Sequence, residues 1–291
     1  MICEDYVVPS SIEEALATLA SLRGEGRVIA GGTDLVIQLQ RRRRTFECLV
    51  DITRIAGLDE IRMENSHVLV GAAVTFSQIE SSALIREKAS VLAEAASQVG
   101  SPQIRNVGTL AGNVVNAQPA ADGSIALLAL DAEAEIANLT GRQWVPVATL
   151  FVSPGISRVD ATAEMITAFR FRAAGPKESS GFERLARRRA LALPLINVGV
   201  NVLLNADGTR FRDVRIAIGP VAPVPFRARE AEEALKNQPL SHDTIDQAAE
   251  TAVRESKPRT SLLRASKEYR RELIGALTKR ALLKAIERAR G

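Results

Sequence analysis

Two glycine turns, each set between apolar runs, constrain this chain more than any other feature. The first is Val28-Ile-Ala-Gly-Gly-Thr-Asp-Leu35; the second begins at Val107 and runs through Thr109-Leu-Ala-Gly-Asn113 to Asp122. Neither has the spacing of the dinucleotide-binding fingerprint, so a nicotinamide cofactor on a Rossmann turn is not the reading. A phosphate needs convergent N–H donors with no side chain in the way, and glycines supply both conditions. The pair therefore reads as two backbone cradles for one phosphate-bearing cofactor.

In the first turn Gly31-Gly32 forms the nest, Thr33 adds a hydroxyl, and Asp34 is placed to cap a helix starting near Leu35. In the second, Thr109 offers a hydroxyl, Gly112 an open backbone and Asn113 an amide. Asp122 follows Asn113 by nine residues. Its carboxylate can accept from a ribose hydroxyl or an adenine amine, or cap a helix over 124–130. Taken singly, each turn is more often a plain βα corner or strand-to-turn junction. The pair is what points to a ligand.

The surrounding pattern is that of an α+β chain. Ser10-Ser-Ile-Glu13 has the form of a capping box ahead of apolar residues at helical spacing, which end before Gly24. Strands are predicted over 27–30, 49–52 and 67–74, so a small βαβ-like unit closes by about residue 57. Helices follow over 77–84 and 91–99, and a hairpin turns at Thr140-Gly141. Residues 165–172 alternate as an amphipathic strand. Gly, Pro and Ser concentrate in 173–181, the best linker. Beyond it, strands over 195–204 and 214–218 and helices over 241–256 and 266–290 form a second unit.

Composition narrows the function. With Cys3 and Cys48 as the only cysteines and His67 and His242 as the only histidines, neither a four-cysteine iron–sulfur site nor a Cys/His zinc site can be built. No apolar run spans a bilayer, and the first residues lack a basic segment followed by an apolar one, so a cytoplasmic location is expected. The net charge of +4 owes much to Arg41–Arg44 and Arg187–Arg189. No aromatic is interleaved with these arginines for base stacking, so they read as solvated ends and subunit contacts, not a nucleic-acid surface. No nucleophile–base pair stands out.

Three segments carry a family resemblance: Ala30-Gly-Gly-Thr-Asp-Leu35, Ile104-Arg-Asn-Val-Gly-Thr-Leu-Ala-Gly-Asn113 and Ala117-Gln-Pro-Ala-Ala-Asp122. It extends to Phe182–Arg189, Tyr269-Arg-Arg271 and Arg280-Ala-Leu282. On these the chain resembles the FAD-binding medium subunit of the molybdenum hydroxylases, the group of xanthine dehydrogenase and carbon monoxide dehydrogenase. The resemblance implies an FAD-binding domain of the vanillyl-alcohol-oxidase type in two subdomains, residues 1–175. A small C-terminal α+β domain, an antiparallel sheet with helices, would occupy 178–287.

It also implies a site. Val28, Ile29, Ala30, Gly31, Gly32, Thr33, Asp34 and Leu35 would wrap the FAD pyrophosphate. Thr109, Leu110, Ala111, Gly112 and Asn113 would hold it from the other side, with Asp122 at the sugar or ribityl end. Val99 and Ile166 would pack near the cofactor. A lysine near the flavin ring in relatives aligns at Glu183 or Arg184, and Arg184 preserves its charge. Relatives often carry Gly-Gly where this chain has Ala111-Gly112; some insert a cysteine-rich loop that this chain lacks.

The implied role is electron relay. An iron–sulfur small subunit and a molybdopterin large subunit would be partners, as a dimer of heterotrimers. Electrons would leave FAD for NAD, oxygen or another soluble acceptor. Two other readings are a self-contained flavin oxidase, which usually needs a larger capping domain, and a non-catalytic flavin-binding scaffold.

Overall fold

The computed structural model describes residues 3–41, 45–188, 190–261 and 265–291. Arg42–Arg44 and Arg189, parts of the two arginine runs, lie outside the described residues.

The chain opens with β1 (Asp5–Val7), α1 (Ile12–Ser21), β2 (Gly26–Ile29), α2 (Leu35–Gln40) and β3 (Cys48–Asp51). These strands make a parallel sheet in the order β1-β3-β2, the βαβ unit expected from the sequence. The cap of α1 differs by one residue. Ser11, not Ser10, accepts from the Glu14 N–H at 3.1 Å, and Glu14 reaches back to the Ser10 N–H at 2.7 Å.

There follow β4 (Ile61–Glu64), β5 (His67–Gly71), α3 (Phe76–Ser81), α4 (Ala83–Lys88), α5 (Ser90–Ser97), α6 (Pro102–Arg105), α7 (Leu110–Val115) and α8 (Asp122–Ala129). Then come β6 (Glu133–Asn138), β7 (Gly141–Pro146), β8 (Phe151–Ser153), β9 (Ile156–Ser157) and β10 (Met165–Arg172). Five of these strands form an antiparallel sheet, β4-β5-β10-β6-β7. The parallel and antiparallel sheets are the two subdomains, and a continuous apolar core runs from Leu16 on α1 through Val70 on β5 to Phe169 on β10.

The C-terminal domain contains β11 (Glu178–Ala186), β12 (Pro194–Leu204), β13 (Phe211–Gly219), β14 (Phe226–Arg227), α9 (Arg229–Leu235), α10 (His242–Glu255) and α11 (Lys267–Arg290). Its sheet is antiparallel in the order β11-β12-β13-β14, with a second core between sheet and helices. The linker is shorter than the Gly/Pro/Ser signal suggests, because Ser179, Ser180 and Gly181 belong to β11. Packing explains this. Ser180 bonds α5, and a methyl at Gly181 would meet the Ala281 carbonyl oxygen of α11 at 3.2 Å.

The two domains are tied closely. Ser180 Oγ accepts from the Val91 N–H at 3.0 Å, and Ser90 Oγ donates to the Ser180 carbonyl at 2.6 Å. Glu94 accepts from the Phe182 N–H at 2.8 Å and pairs with Arg288 at 2.5 Å. Helix α8 is buried along its whole length and packs against β12 and β13. Glycine makes that approach possible, since a methyl at Gly199 would lie 3.3 Å from the Ala129 side chain and the Ile125 carbonyl oxygen. Among the described residues, no helix is long and apolar enough to cross a membrane.

Candidate flavin-binding cleft

The two glycine turns, more than 70 residues apart in sequence, touch. A methyl at Gly31 would come within 1.8 Å of the Val107 carbonyl oxygen and 2.9 Å of the Gly108 α-carbon. Only a residue without a side chain can sit so close to a backbone carbonyl. Gly32 takes the left-handed conformation, φ +65°, that reverses the chain after β2. The joined turns form one wall of a cleft of about 410 Å³, a volume within the range of small-molecule sites.

Thr109 is the N-cap of α7: its Oγ1 accepts from the Gly112 N–H at 3.1 Å. The second turn is thus the start of a short helix. Asn113 Oδ1 accepts from the Ser124 N–H at 3.2 Å, linking α7 to α8. The cleft continues along apolar Val99, Ile104, Met165 and Ile166, and the turn between β8 and β9 closes one side, where the Gly155 N–H donates to the Ala117 carbonyl at 3.0 Å.

The cleft brings together Val28 to Leu35, Val99, Thr109, Ala111, Gly112, Asn113 and Ile166. Leu110 does not line it; its side chain is fully buried in the core, as the apolar first residue of a helix packed inward. Asp34 does not cap α2. Its carboxyl faces Asn116 instead, and burial raises it above the usual carboxylate range while the Asn116 hydrogen bond pulls the other way.

Asp122 and Arg184 stand behind the wall. Asp122 is the first residue of α8, which has no side-chain cap, so the helix-cap expectation does not hold. Its carboxylate takes Arg184 Nε at 3.2 Å and Asn197 Nδ2 at 2.6 Å. Both side chains of the ion pair are 7% exposed. Arg184 also donates to the Ala192 carbonyl. Burial pushes the Asp122 carboxyl up to about 6 against the pull of Arg184 and Asn197. The pair lies close to the cleft: a methyl on the next residue, Gly123, would sit 2.8 Å from Asn113 Oδ1 and 3.2 Å from the Phe76 ring. Glu183, the other position for the relatives' lysine, is bound to Lys284 at 2.5 Å.

Sequence reasoning missed Phe76, Ile104, Asn116, Gly155 and Met165, all on the cleft wall. Only Pro154-Gly155 carried a local signal, as a turn. The others are apolar or amide residues whose role depends on tertiary position.

The residues present fit a phosphate-bearing cofactor. The N–H groups of Gly31, Gly32, Thr33 and Asp34 find no acceptor among the described residues, and all four residues line the cleft. Among the described residues there is no group of three or more His, Cys, Asp or Glu side chains that could hold a metal.

Comparison with known proteins agrees over the whole chain. Residues 2–171 match the family described as FAD binding domain in molybdopterin dehydrogenase. Residues 182–285 match the CO dehydrogenase flavoprotein C-terminal domain. The xanthine dehydrogenase FAD-binding subunit of Escherichia coli O157:H7 is 32% identical over 287 residues, covering 98% of this chain and 97% of that one. The nicotinate dehydrogenase FAD-subunit of Eubacterium barkeri is 30% identical, covering 99% and 97%. Among solved structures, a chain of carbon monoxide dehydrogenase from Hydrogenophaga pseudoflava superposes with a TM-score of 0.91 at 30% identity, covering 98% of both chains. With two abutting glycine turns on one cleft and matches across both domains, the chain belongs to the FAD-binding medium subunits of the molybdenum hydroxylases, an oxidoreductase family.

Proposed function

We propose that this chain is the electron-relay subunit of a molybdenum hydroxylase. It receives electrons from iron–sulfur clusters of a small partner subunit and passes them through FAD to a soluble acceptor such as NAD or oxygen. A molybdopterin large subunit carries the oxidation of the organic substrate. The single observation that supports this best is the contact of Gly31 with Val107 and Gly108, which makes one cradle from two distant turns.

When bound, FAD supplies interchange between one-electron and two-electron transfer. The chain's part is to bind and orient it. Gly31, Gly32, Thr33 and Asp34 offer backbone N–H groups to the pyrophosphate, and Thr109, Ala111, Gly112 and Asn113 oppose them. Val99, Ile104 and Ile166 exclude water from the apolar part of the cleft. Asp122 stands at the sugar or ribityl end, with Arg184 as its counter-charge. Residues 1–175 act as the flavin domain and 178–287 as the C-terminal domain, and the complex is a cytoplasmic dimer of heterotrimers.

Purification with its natural neighbours tests the reading. A yellow complex containing FAD, iron and molybdenum in three kinds of subunit is expected. A colourless chain that takes up no FAD overturns it. A lone yellow protein that oxidises an organic substrate without metals replaces it with the self-contained oxidase.

A further inference from the structure

Asn197 is a polar residue in an apolar run. It sits on β12 between Ile196 and Val198, both with no exposed surface, and is itself fully buried. Register explains where it points. Asn197 pairs directly across from Arg184 on β11, and cross-strand partners share a face of the sheet. Both therefore reach the same carboxylate, Asp122 at the start of α8. The Asn197 amide nitrogen donates to Asp122 Oδ1 at 2.6 Å and stands 3.4 Å from the Ala120 carbonyl oxygen. Its own Oδ1 has no hydrogen-bond partner among the described residues.

That arrangement is costly for packing alone. An apolar residue would fill β12 without burying an unpaired carbonyl, and a half-satisfied buried amide is worse than an apolar core. What the amide does accomplish is local. It gives Asp122 a second donor beside Arg184, one residue before Gly123, which packs on the cleft-lining Asn113 and Phe76. Gly219, across from Asn197 on β13, keeps the space open: a methyl there would lie 2.7 Å from Asn197 Oδ1 and 2.6 Å from the Pro119 carbonyl oxygen.

We propose that Asn197 is a positioning residue of the flavin site: with Arg184 it holds the Asp122 carboxylate in the orientation that serves the bound cofactor, so the C-terminal domain completes a site built by the N-terminal one. The proposal rests on the flavin reading above. The signal of Asn197 in the sequence is only a polar residue interrupting an apolar strand.

The test is FAD affinity of the full chain, followed by flavin fluorescence from about pH 5 to about pH 8, around the ordinary range of a raised carboxyl. Arg184 is the charged group that bears on Asp122, from β11; β12 contributes the neutral Asn197. Asp34 and Glu164 also line the cleft, so Asp122→Asn serves to identify the inflection that belongs to Asp122. In the wild type, affinity rises with pH through that inflection, because an ionised Asp122 accepts from a cofactor hydroxyl. Asn197→Leu removes a donor to the ionised form, so its inflection moves up by about one pH unit, and between the two inflections it binds FAD up to about tenfold more weakly. Asn197→Asp, nearly isosteric, moves it further the same way by placing a second carboxyl beside the first. In the Asp122→Asn background, Asn197→Leu changes affinity less than about twofold, as expected when one residue acts through the other.

An inflection that stays in place in folded Asn197→Leu or Asn197→Asp overturns the proposal, and so does an equal effect of Asn197→Leu with and without Asp122. A wild-type profile with no inflection that Asp122→Asn removes also overturns it. In each of these cases the wild type still binds FAD and the flavin reading stands. A wild type that takes up no FAD at all is the separate failure of that reading.

Discussion

Gly31 lies against the carbonyl of Val107 with no room for a side chain, whereas Gly112, on the facing helix, has only the Thr109 hydroxyl near the place a side chain would occupy, at 3.1 Å. The two glycines therefore fail differently. Gly31→Ala forces the turns apart and is expected to cost about 1–3 kcal/mol of stability or more, the usual range for overpacking. Gly112→Val projects into the cleft and is expected to abolish FAD retention with a much smaller loss of stability. Thermal melts with flavin quantitation separate them. Equal flavin content in Gly112→Val and wild type would remove the second turn from the cradle.

The Asp122 carboxyl sets a pH dependence of folding. Its native value of about 6 stands above the reference value of 3.8. Between those values the native state keeps a proton that the unfolded chain has released. Its contribution to stability is therefore full below about pH 4 and is lost as pH rises through 6. At 1.36 kcal/mol per unit the loss is about 3 kcal/mol for this fully buried group. Relative to Asp122→Asn, the wild type should lose stability across that window in urea titrations. Parallel profiles of the two proteins would contradict the assignment.

The N-cap of helix α5, Ala89, offers no side-chain acceptor, and the helix borrows one from the other domain: Ser180 Oγ takes the Val91 N–H. Ser180→Ala should cost about 1 kcal/mol, the typical price of a lost N-cap, although the residue lies in a strand. Ser180→Thr keeps the oxygen and should recover part of the loss. Denaturant midpoints that do not move would show that the contact is dispensable.

Tyr6 on β1 donates to Asp51 Oδ2 on β3 at 2.6 Å. Burial first, and then the Asp51 carboxylate, push this phenol up to about 12. The phenolate absorbance that disappears in Tyr6→Phe should therefore titrate near 12 in the folded protein. Asp51→Asn should bring it down, because the carboxylate both accepts the hydroxyl proton and repels the phenolate. A Tyr6 titration at the ordinary value in the wild type would rule out the bond.

Much of the cleft was legible in the residues. Gly31, Gly32, Thr109 and Gly112 announce themselves because backbone freedom is encoded in the residue type, and α10 and α11 because apolar spacing is local. Asp122 stands out by its spacing from Asn113 and Arg184 by resemblance, but nothing in the sequence pairs the two. Their pairing depends on β11 and β12 aligning Arg184 with Asn197 and on α8 starting where both can reach it. No local pattern carries that. The same holds for Phe76, a buried apolar residue of α3, and Ile104, a half-buried one of α6, which only the tertiary fold brings to one cleft. The short helix at Leu110 was hidden for the opposite reason: glycine and β-branched valines argue against helix, and the Thr109 cap overrides them. Ser179 to Gly181 show the converse, a turn-rich composition drawn into a strand by contacts with α5 and α11.

Helix α8 has no solvent face: all eight of its residues are buried, between the N-terminal core and strands β12 and β13. A polypeptide ending at the linker would leave one side of that helix wet and apolar, so the flavin-binding half is not a separable module despite its own sheets. Conversely, a single protease nick between 173 and 177 should go unnoticed by gel filtration under native conditions. The fragments would stay together as a non-covalent pair and part only in denaturant. Continuity of the backbone matters here for delivering the C-terminal half to α8 during folding, and little for keeping it there.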